Sequence, residues 1–119
     1  MRLCTGVEWG AACAGATNRV YPYGNSYGKT TCDGIDYAAT AALIATGSDT
    51  QCTSDTNVFD LSGNAKEWTN QGASNIFVVR GGSYESPSAG LTCATTFSQA
   101  SGDTVLPDIG FRCCSSTAP

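Results

Sequence analysis

Seven cysteines and no histidine set the chemistry open to this chain of 119 residues. The thiols are Cys4, Cys13, Cys32, Cys52, Cys93, Cys113 and Cys114, and no two form a Cys-x-x-Cys. The usual zinc sites need such pairs or a cysteine with histidine, so this composition disfavours zinc. The missing histidine also removes Ser-His-Asp and Cys-His catalysis, because no imidazole is present to take a proton from a hydroxyl or thiol. So many cysteines in so short a chain point to disulfides, and hence to an oxidising place: extracellular, periplasmic or at a cell surface. The odd count leaves one thiol to be free, to join another chain, or to pair with a partner upstream.

The remaining composition narrows the function further. The length fits one domain, residues 1–119, with a modest core. Only 13% of residues are charged, the net charge is −4, and the six basic residues form no run. Nucleic acid and anionic membranes are therefore poor partners. The longest apolar stretch, near Tyr37 to Thr46, is too short to cross a bilayer, so no membrane insertion is expected. No segment reads as a secretory signal, and no Asn-x-Ser/Thr sequon occurs.

Several elements must position these groups. Thr5 to Ala14 reads as a helix: Thr5 and Glu8 have capping-box spacing, Val7, Ala11 and Ala14 recur at helical spacing, Trp9 and Cys13 form a second pair, and Gly15 suits the stop. Thr17 to Asp36 reads as a long ordered loop and Thr46 to Thr56 as a polar one. Tyr37 to Ala45 fits either a short helix or buried irregular structure. Asn75 to Arg80, with Ile76-Phe77-Val78-Val79, reads as a buried strand that Gly81-Gly82 breaks. Thr92 to Ser98 and Ile109 to Cys114 read as two more strands, with a turn at Ser101-Gly102-Asp103.

Five blocks carry a resemblance. They are Arg2-Leu3-Cys4-Thr5-Gly6-Val7-Glu8-Trp9, Tyr21-Pro22-Tyr23-Gly24-Asn25, Val58-Phe59-Asp60-Leu61-Ser62-Gly63-Asn64-Ala65-Lys66-Glu67-Trp68-Thr69, Arg80-Gly81-Gly82-Ser83-Tyr84 and Gly110-Phe111-Arg112-Cys113. In this order and spacing the chain resembles the C-terminal part of the formylglycine-generating enzyme family, the sulfatase-modifying-factor domain. The first block resembles that family's Arg-Leu-Pro-Thr-Glu-Ala-Glu-Trp, with Cys4 in the proline's place. The resemblance implies a loop-rich, disulfide-stapled α+β fold, a C-type-lectin-like variant. It also implies that the N-terminal part of the family domain is absent from this sequence.

The same resemblance assigns roles. In catalytic members, two cysteines follow Gly-Gly-Ser-Tyr by two and seven residues and hold copper; here those places carry Ser86 and Leu91. Soft thiolates select Cu(I), so no copper and no formylglycine-generating activity are expected. Cys13 and Cys93 match a structural disulfide of some members. Cys113 matches a cysteine whose usual partner lies upstream; within this chain Cys4 is left to Cys113, the pairing we expect, or to Cys114. Cys32 and Cys52 flank one loop and are assigned to each other. A structural calcium is implied at Asp60, Gly63, Ala65 and Glu67, two carboxylates with two backbone carbonyls, and more weakly at Asp33 and Gly34. Arg80 and Arg112 are expected in ion pairs with Glu8, Asp60 or Glu67.

Non-catalytic relatives of this fold, including the variable proteins of diversity-generating retroelements, display loops on a rigid frame. Glu85 to Leu91, Asn70 to Ser74 and Ser98 to Asp103 would form that face, with Tyr84, Glu85, Ser86 and Tyr27 as binding candidates and Trp9 and Trp68 in the core. The expected function is an exported, bacterial-style recognition module for a protein or glycan. The alternative is a structural subunit completed by neighbouring subunits, and a weaker one is a divergent metal-dependent oxidase.

Overall fold

The structure is a computed structural model and describes residues 1–116. In chain order it contains β1 (Arg2–Leu3), α1 (Gly6–Ala14), β2 (Lys66–Ala73), β3 (Ile76–Arg80), a single 3-10 turn (Ser88–Gly90), β4 (Gln99–Ser101), β5 (Ile109–Phe111) and β6 (Cys113–Cys114). The fifty-odd residues between α1 and β2 run as ordered loop. This is a loop-rich α+β fold.

The helix forms for the reasons its sequence predicts. The Thr5 hydroxyl accepts from the Glu8 amide at 3.1 Å, and the Glu8 carboxylate accepts from the Thr5 amide at 2.8 Å. This reciprocal cap satisfies two first-turn donors. The buried face, however, is Gly6, Trp9 and Cys13. Val7 and Ala11 point outward, Val7 at 83% exposure. Trp9 and the disulfide-bonded Cys13 bury more surface than the valine and alanines could, so they fix the helix rotation.

The main sheet has the order β4-β3-β2-β5. β2 pairs antiparallel with β3 and parallel with β5, and β3 pairs antiparallel with β4. Ser74 and Asn75 both have positive φ and close the β2–β3 hairpin, as a two-residue loop requires. β1 and β6 form a separate two-stranded ribbon.

Two strand expectations change. Thr92 to Ser98 does not enter a ladder until Gln99, because local side-chain bonds compete for it. Thr95 Oγ1 donates to the Ala89 carbonyl at 2.8 Å and meets Thr92 Oγ1 at 2.7 Å. The closing strand is interrupted at Arg112, whose side chain turns in to Glu67, so β5 and β6 belong to different sheets. Tyr37 to Ala45 is irregular but mostly exposed, not buried. The Asn64 side chain holds it by a two-way bond to the amide and carbonyl of Ile44, each 3.1 Å.

The core gathers Cys4, Trp9, Cys13, Leu61 and Cys93. Disulfides join Cys13 to Cys93 and Cys32 to Cys52. Cys4 joins Cys114, not Cys113, which is the exposed free thiol. The ribbon explains this. Leu3 pairs with Cys113 and Arg2 with Cys114, and adjacent strand residues point to opposite faces. Only Cys114 is directed toward the buried Cys4. In the chain-entropy account the Cys13–Cys93 closure contributes about 4 kcal/mol.

Candidate functional site

The segment 58–69 positions most of the candidate groups. Asp60 and Asn64 adopt positive φ, and Gly63 has φ +74°. A Cβ on Gly63 would lie 2.1 Å from the Asp33 carbonyl oxygen, so only glycine fits this crossing. The Asn64 amide donates to that same carbonyl at 2.7 Å. The turn thereby clamps the Cys32–Gly34 loop against the base of β2.

Glu67 does not stand free for a cation. Its Oε1 and Oε2 accept from Arg112 Nη2 and Nε, each at 2.5 Å, and Oε2 also accepts from Trp9 Nε1 at 2.6 Å. Arg112 additionally donates to the Phe59 carbonyl at 3.0 Å. A cavity of about 250 Å³ beside them is bounded by Asp60, Ala65, Glu67 and Arg112. Of the expected calcium set Asp60, Gly63, Ala65 and Glu67, the Glu67 carboxylate is thus already engaged by a guanidinium.

A different acidic corner does carry spare oxygens. Asp33 is 4% exposed and its Oδ2 has no partner; Asp49 Oδ2 is likewise enclosed and unpartnered. Burial, then the nearby Asp60 and Asp49, hold the Asp33 carboxyl above its ordinary range. Asp60 Oδ2 accepts from the Gly47 amide at 2.7 Å, and burial raises its carboxyl too. Among the described residues no group of three or more cysteine, aspartate or glutamate side chains is gathered for a metal ion. Asp49 carried no signal in the sequence: it lies in a polar loop outside the five blocks, and only the fold brings it to Asp33.

Ser86 and Leu91 are both committed to the frame. Ser86 Oγ accepts from the Ser83 amide at 2.9 Å. Leu91 is 1% exposed, and its carbonyl accepts from the Ser62 hydroxyl at 2.6 Å. A Cβ on Gly82, at φ +68°, would come within 2.7 Å of the Gly90 carbonyl, so the loop is packed directly on the Gly-Gly break.

The loop candidates fall on one continuous stretch of contacts. The Ile35 amide donates to the Ser86 carbonyl at 3.1 Å, and next to it Asp36 accepts from the Tyr27 hydroxyl at 3.0 Å. Tyr21 stacks on Tyr23 with ring centroids 5.4 Å apart and lies 5.8 Å from Tyr27. Burial and Asp36 push the Tyr27 phenol up to about 12, so it stays a hydrogen-bond donor. Glu85 is exposed; Tyr84, Ser86 and Tyr27 are half-buried. Trp9 is wholly buried, whereas Trp68 is half-buried and meets Phe77 edge-on at 6.5 Å.

Arg112 is paired as expected, but Arg80 is not. Glu8 binds Arg2 at 2.7 Å instead, which leaves Arg80 without a carboxylate. Its Nη1 donates to the Cys93 carbonyl at 3.2 Å and its Nη2 to Gln71 at 2.8 Å.

Comparison with known proteins matches residues 1–117 to the sulfatase-modifying factor enzyme 1-like domain. No curated protein matches. Among solved structures, Treponema denticola variable protein 1 superposes with a TM-score of 0.79 at 18% identity, covering 92% of this chain and 45% of that one. A crystal structure of CarF gives a TM-score of 0.76 at 22% identity, covering 92% of this chain and 44% of that one. The chain thus spans less than half the length of these relatives, and the likeness is one of fold.

Proposed function

The chain belongs to the sulfatase-modifying factor enzyme 1-like family, and from that membership we propose that it is a non-catalytic recognition module acting outside the cytoplasm. One observation carries the reading. The two positions that would hold a redox thiolate pair are a hydroxyl capping a turn and a buried leucine. Every other cysteine but Cys113 lies in a disulfide, so no thiolate pair remains among the described residues. The same loop presents Glu85, Tyr84 and Ser86, and the Ile35–Asp36 segment links it to Tyr27. Loops recognise best when a frame holds them still, and three disulfides supply such a frame. They also support an extracellular or periplasmic location.

The partner is a protein or a glycan. Calcium enters the proposal as a structural ligand of Asp33 and Asp60, whose carboxylates are not taken by arginine, with Asp33 Oδ2 as the open donor. The test is a glycan and peptide array probed with the oxidised chain, followed by Tyr27→Ala and Glu85→Gln. Binding lost in both variants at unchanged melting temperature supports the proposal. Formylglycine formation on a cysteine peptide with added copper would overturn it.

The exposed Cys113 favours a second reading, a structural subunit of an extracellular assembly. Intact mass without reductant separates the two: a doubled mass abolished by Cys113→Ser supports assembly, and a monomer with one alkylated thiol supports recognition.

A further inference from the structure

Arg80 presents a buried positive charge that nothing in the described chain neutralises. It is 8% exposed, and its Nε has no hydrogen-bond partner. The four ion pairs among the described residues join Arg2 to Glu8, Arg19 to Asp55, Lys66 to Asp108 and Arg112 to Glu67. Arg80 is in none of them. Its two bonds go to uncharged oxygens of Cys93 and Gln71, and its guanidinium lies 5.7 Å from the Trp9 ring centroid. Arginine does not shed its proton, so the charge stays. Desolvation of such a group without a counter-charge opposes folding.

This guanidinium borders a cavity of about 550 Å³, which opens along the first turns of α1. Gly6, Gly10, Asn70 and Gln71 are on its wall. A Cβ on Gly6 would meet Gln71 Oε1 at 2.0 Å and Arg80 Nη2 at 3.2 Å, whereas one on Gly10 would meet nothing within 4 Å. Position 6 therefore faces the guanidinium, and position 10 faces open space. Two glycines four residues apart oppose helix formation relative to alanine; here Gly6 makes room for the Gln71 amide against Arg80, and Gly10 leaves the cavity open beyond it. Gly6 and Val7, whose amides a helix cannot pair internally, line the same wall, and a helix start favours negative charge. Arg19 also lines the cavity, but it is paired with Asp55 at 3.1 Å and donates to the Pro22 carbonyl, so Arg80 is the one unpaired cation beside the neutral amide side chains of Asn70 and Gln71. That inventory suits a single planar carboxylate group better than a phosphate dianion.

We propose that this cavity is a carboxylate-binding site in which Arg80, beside the first turn of α1, takes a carboxylate from a small molecule or from an acidic side chain of another polypeptide. The site shares no lining residue with the loop candidates Tyr27, Tyr84, Glu85 and Ser86, and it stands whether or not they bind a partner.

The experiment uses the full oxidised chain, labelled with nitrogen-15. The Arg80 Nε–H and Trp9 Nε1–H resonances are followed while succinate, acetyl-Gly-Glu-Gly-amide, inorganic phosphate and matched sodium chloride are added separately. A saturable shift of the Arg80 resonance with either carboxylate probe, and none with chloride, is the expected result. Response to succinate assigns a small-molecule source, and response to the peptide alone assigns a polypeptide. No saturable shift with both, or tighter binding of phosphate, overturns the proposal.

A second arm needs no added ligand. Gly6→Asp places a carboxylate at the guanidinium in place of the Gln71 amide, which lies 2.0 Å from the Cβ position, and Gly6→Asn displaces that amide equally without adding charge. The aspartate variant should melt higher at pH 7 and bind the carboxylate probes at least ten-fold more weakly than the unsubstituted chain. A carboxyl held below its ordinary range stabilises above about pH 4, so the melting gap should close as the pH falls below that value. Equal melting of the two variants at pH 7 would count against an uncompensated Arg80.

Discussion

Two arginines are tied to the same tryptophan, one through a shared carboxylate and one against its ring, and only the first has an acid. Arg112 forks onto Glu67, which also accepts the Trp9 indole proton. Arg80 lies against the Trp9 ring and bonds only neutral oxygens. The first arrangement is closed: the Glu67 carboxylate accepts from both the guanidinium and the indole, and it ties β2 to the start of the last ribbon. The second is open, with donors left over and a cavity beside them. A neutralised charge makes frame, whereas an unneutralised one calls for a ligand.

The largest test of this contrast is to remove the acid from the closed centre. Glu67→Gln leaves Arg112 half-buried without a counter-charge and weakens the bond to Trp9 Nε1. The expected cost is about 3 kcal/mol, the usual range for breaking such a pair from one side. For a chain of this size that lowers the melting temperature by roughly 10 °C. Arg80→Met should cost no more than about 1 kcal/mol, because it removes two neutral bonds together with an uncompensated charge. Calorimetry on both variants checks this; equal losses would erase the distinction between the two arginines.

The sequence carried the closed centre far better than the open one. The Thr5–Glu8 cap, the Gly15 stop and the Ile76–Arg80 strand were legible because their signals are local: one spacing, one glycine, one apolar run. β2 gives no strand signal in the sequence because its inward residues are polar. Glu67 and Thr69 are buried, and Thr69 Oγ1 donates to the Val78 carbonyl at 2.8 Å, so the alternation is present with its polarity reversed. The partner of Cys4 turned on the facing of a two-residue strand, which spacing does not encode. The sequence offers Arg80 three acids, and only the fold gives Glu67 to Arg112 and Glu8 to Arg2. The meeting of Asp33 with Asp49 is likewise a product of loop crossing.

That acidic corner is the mirror of Arg80, an excess of negative charge with an unpartnered oxygen. The Asp33 carboxyl is held above its ordinary value, so its ionisation in the folded state opposes folding at neutral pH and the penalty fades as the pH falls through the folded value. Asp33→Asn should therefore raise stability by about 1 kcal/mol in the presence of a chelator. Calcium should reverse the order, stabilising the unsubstituted chain and leaving the variant unmoved. Melting curves with chelator and with millimolar calcium decide this. A variant less stable than the parent in chelator would mean that Asp33 is already compensated.

The smallest effect belongs to the exposed pair at the helix start, where charge is neutralised but solvent does most of the work. Glu8 is drawn down to about 2, first by the Arg2 hydrogen bond and then by the Thr5 amide and hydroxyl. Its folded value lies below the 4.5 of a free glutamate. Its contribution is therefore complete above about pH 4.5 and lost as the pH falls toward 2. Glu8→Gln should keep the helix, lower the melting temperature slightly at pH 7, and flatten the acid limb of the stability profile between those values. Exposed ion pairs are screened by salt, so half-molar sodium chloride should shrink the difference between variant and parent, while leaving the loss from Glu67→Gln nearly intact. If salt shrank both losses alike, the Glu67–Arg112 pair would be behaving as surface charge, and the contrast with Arg80 would have to rest on the cavity alone.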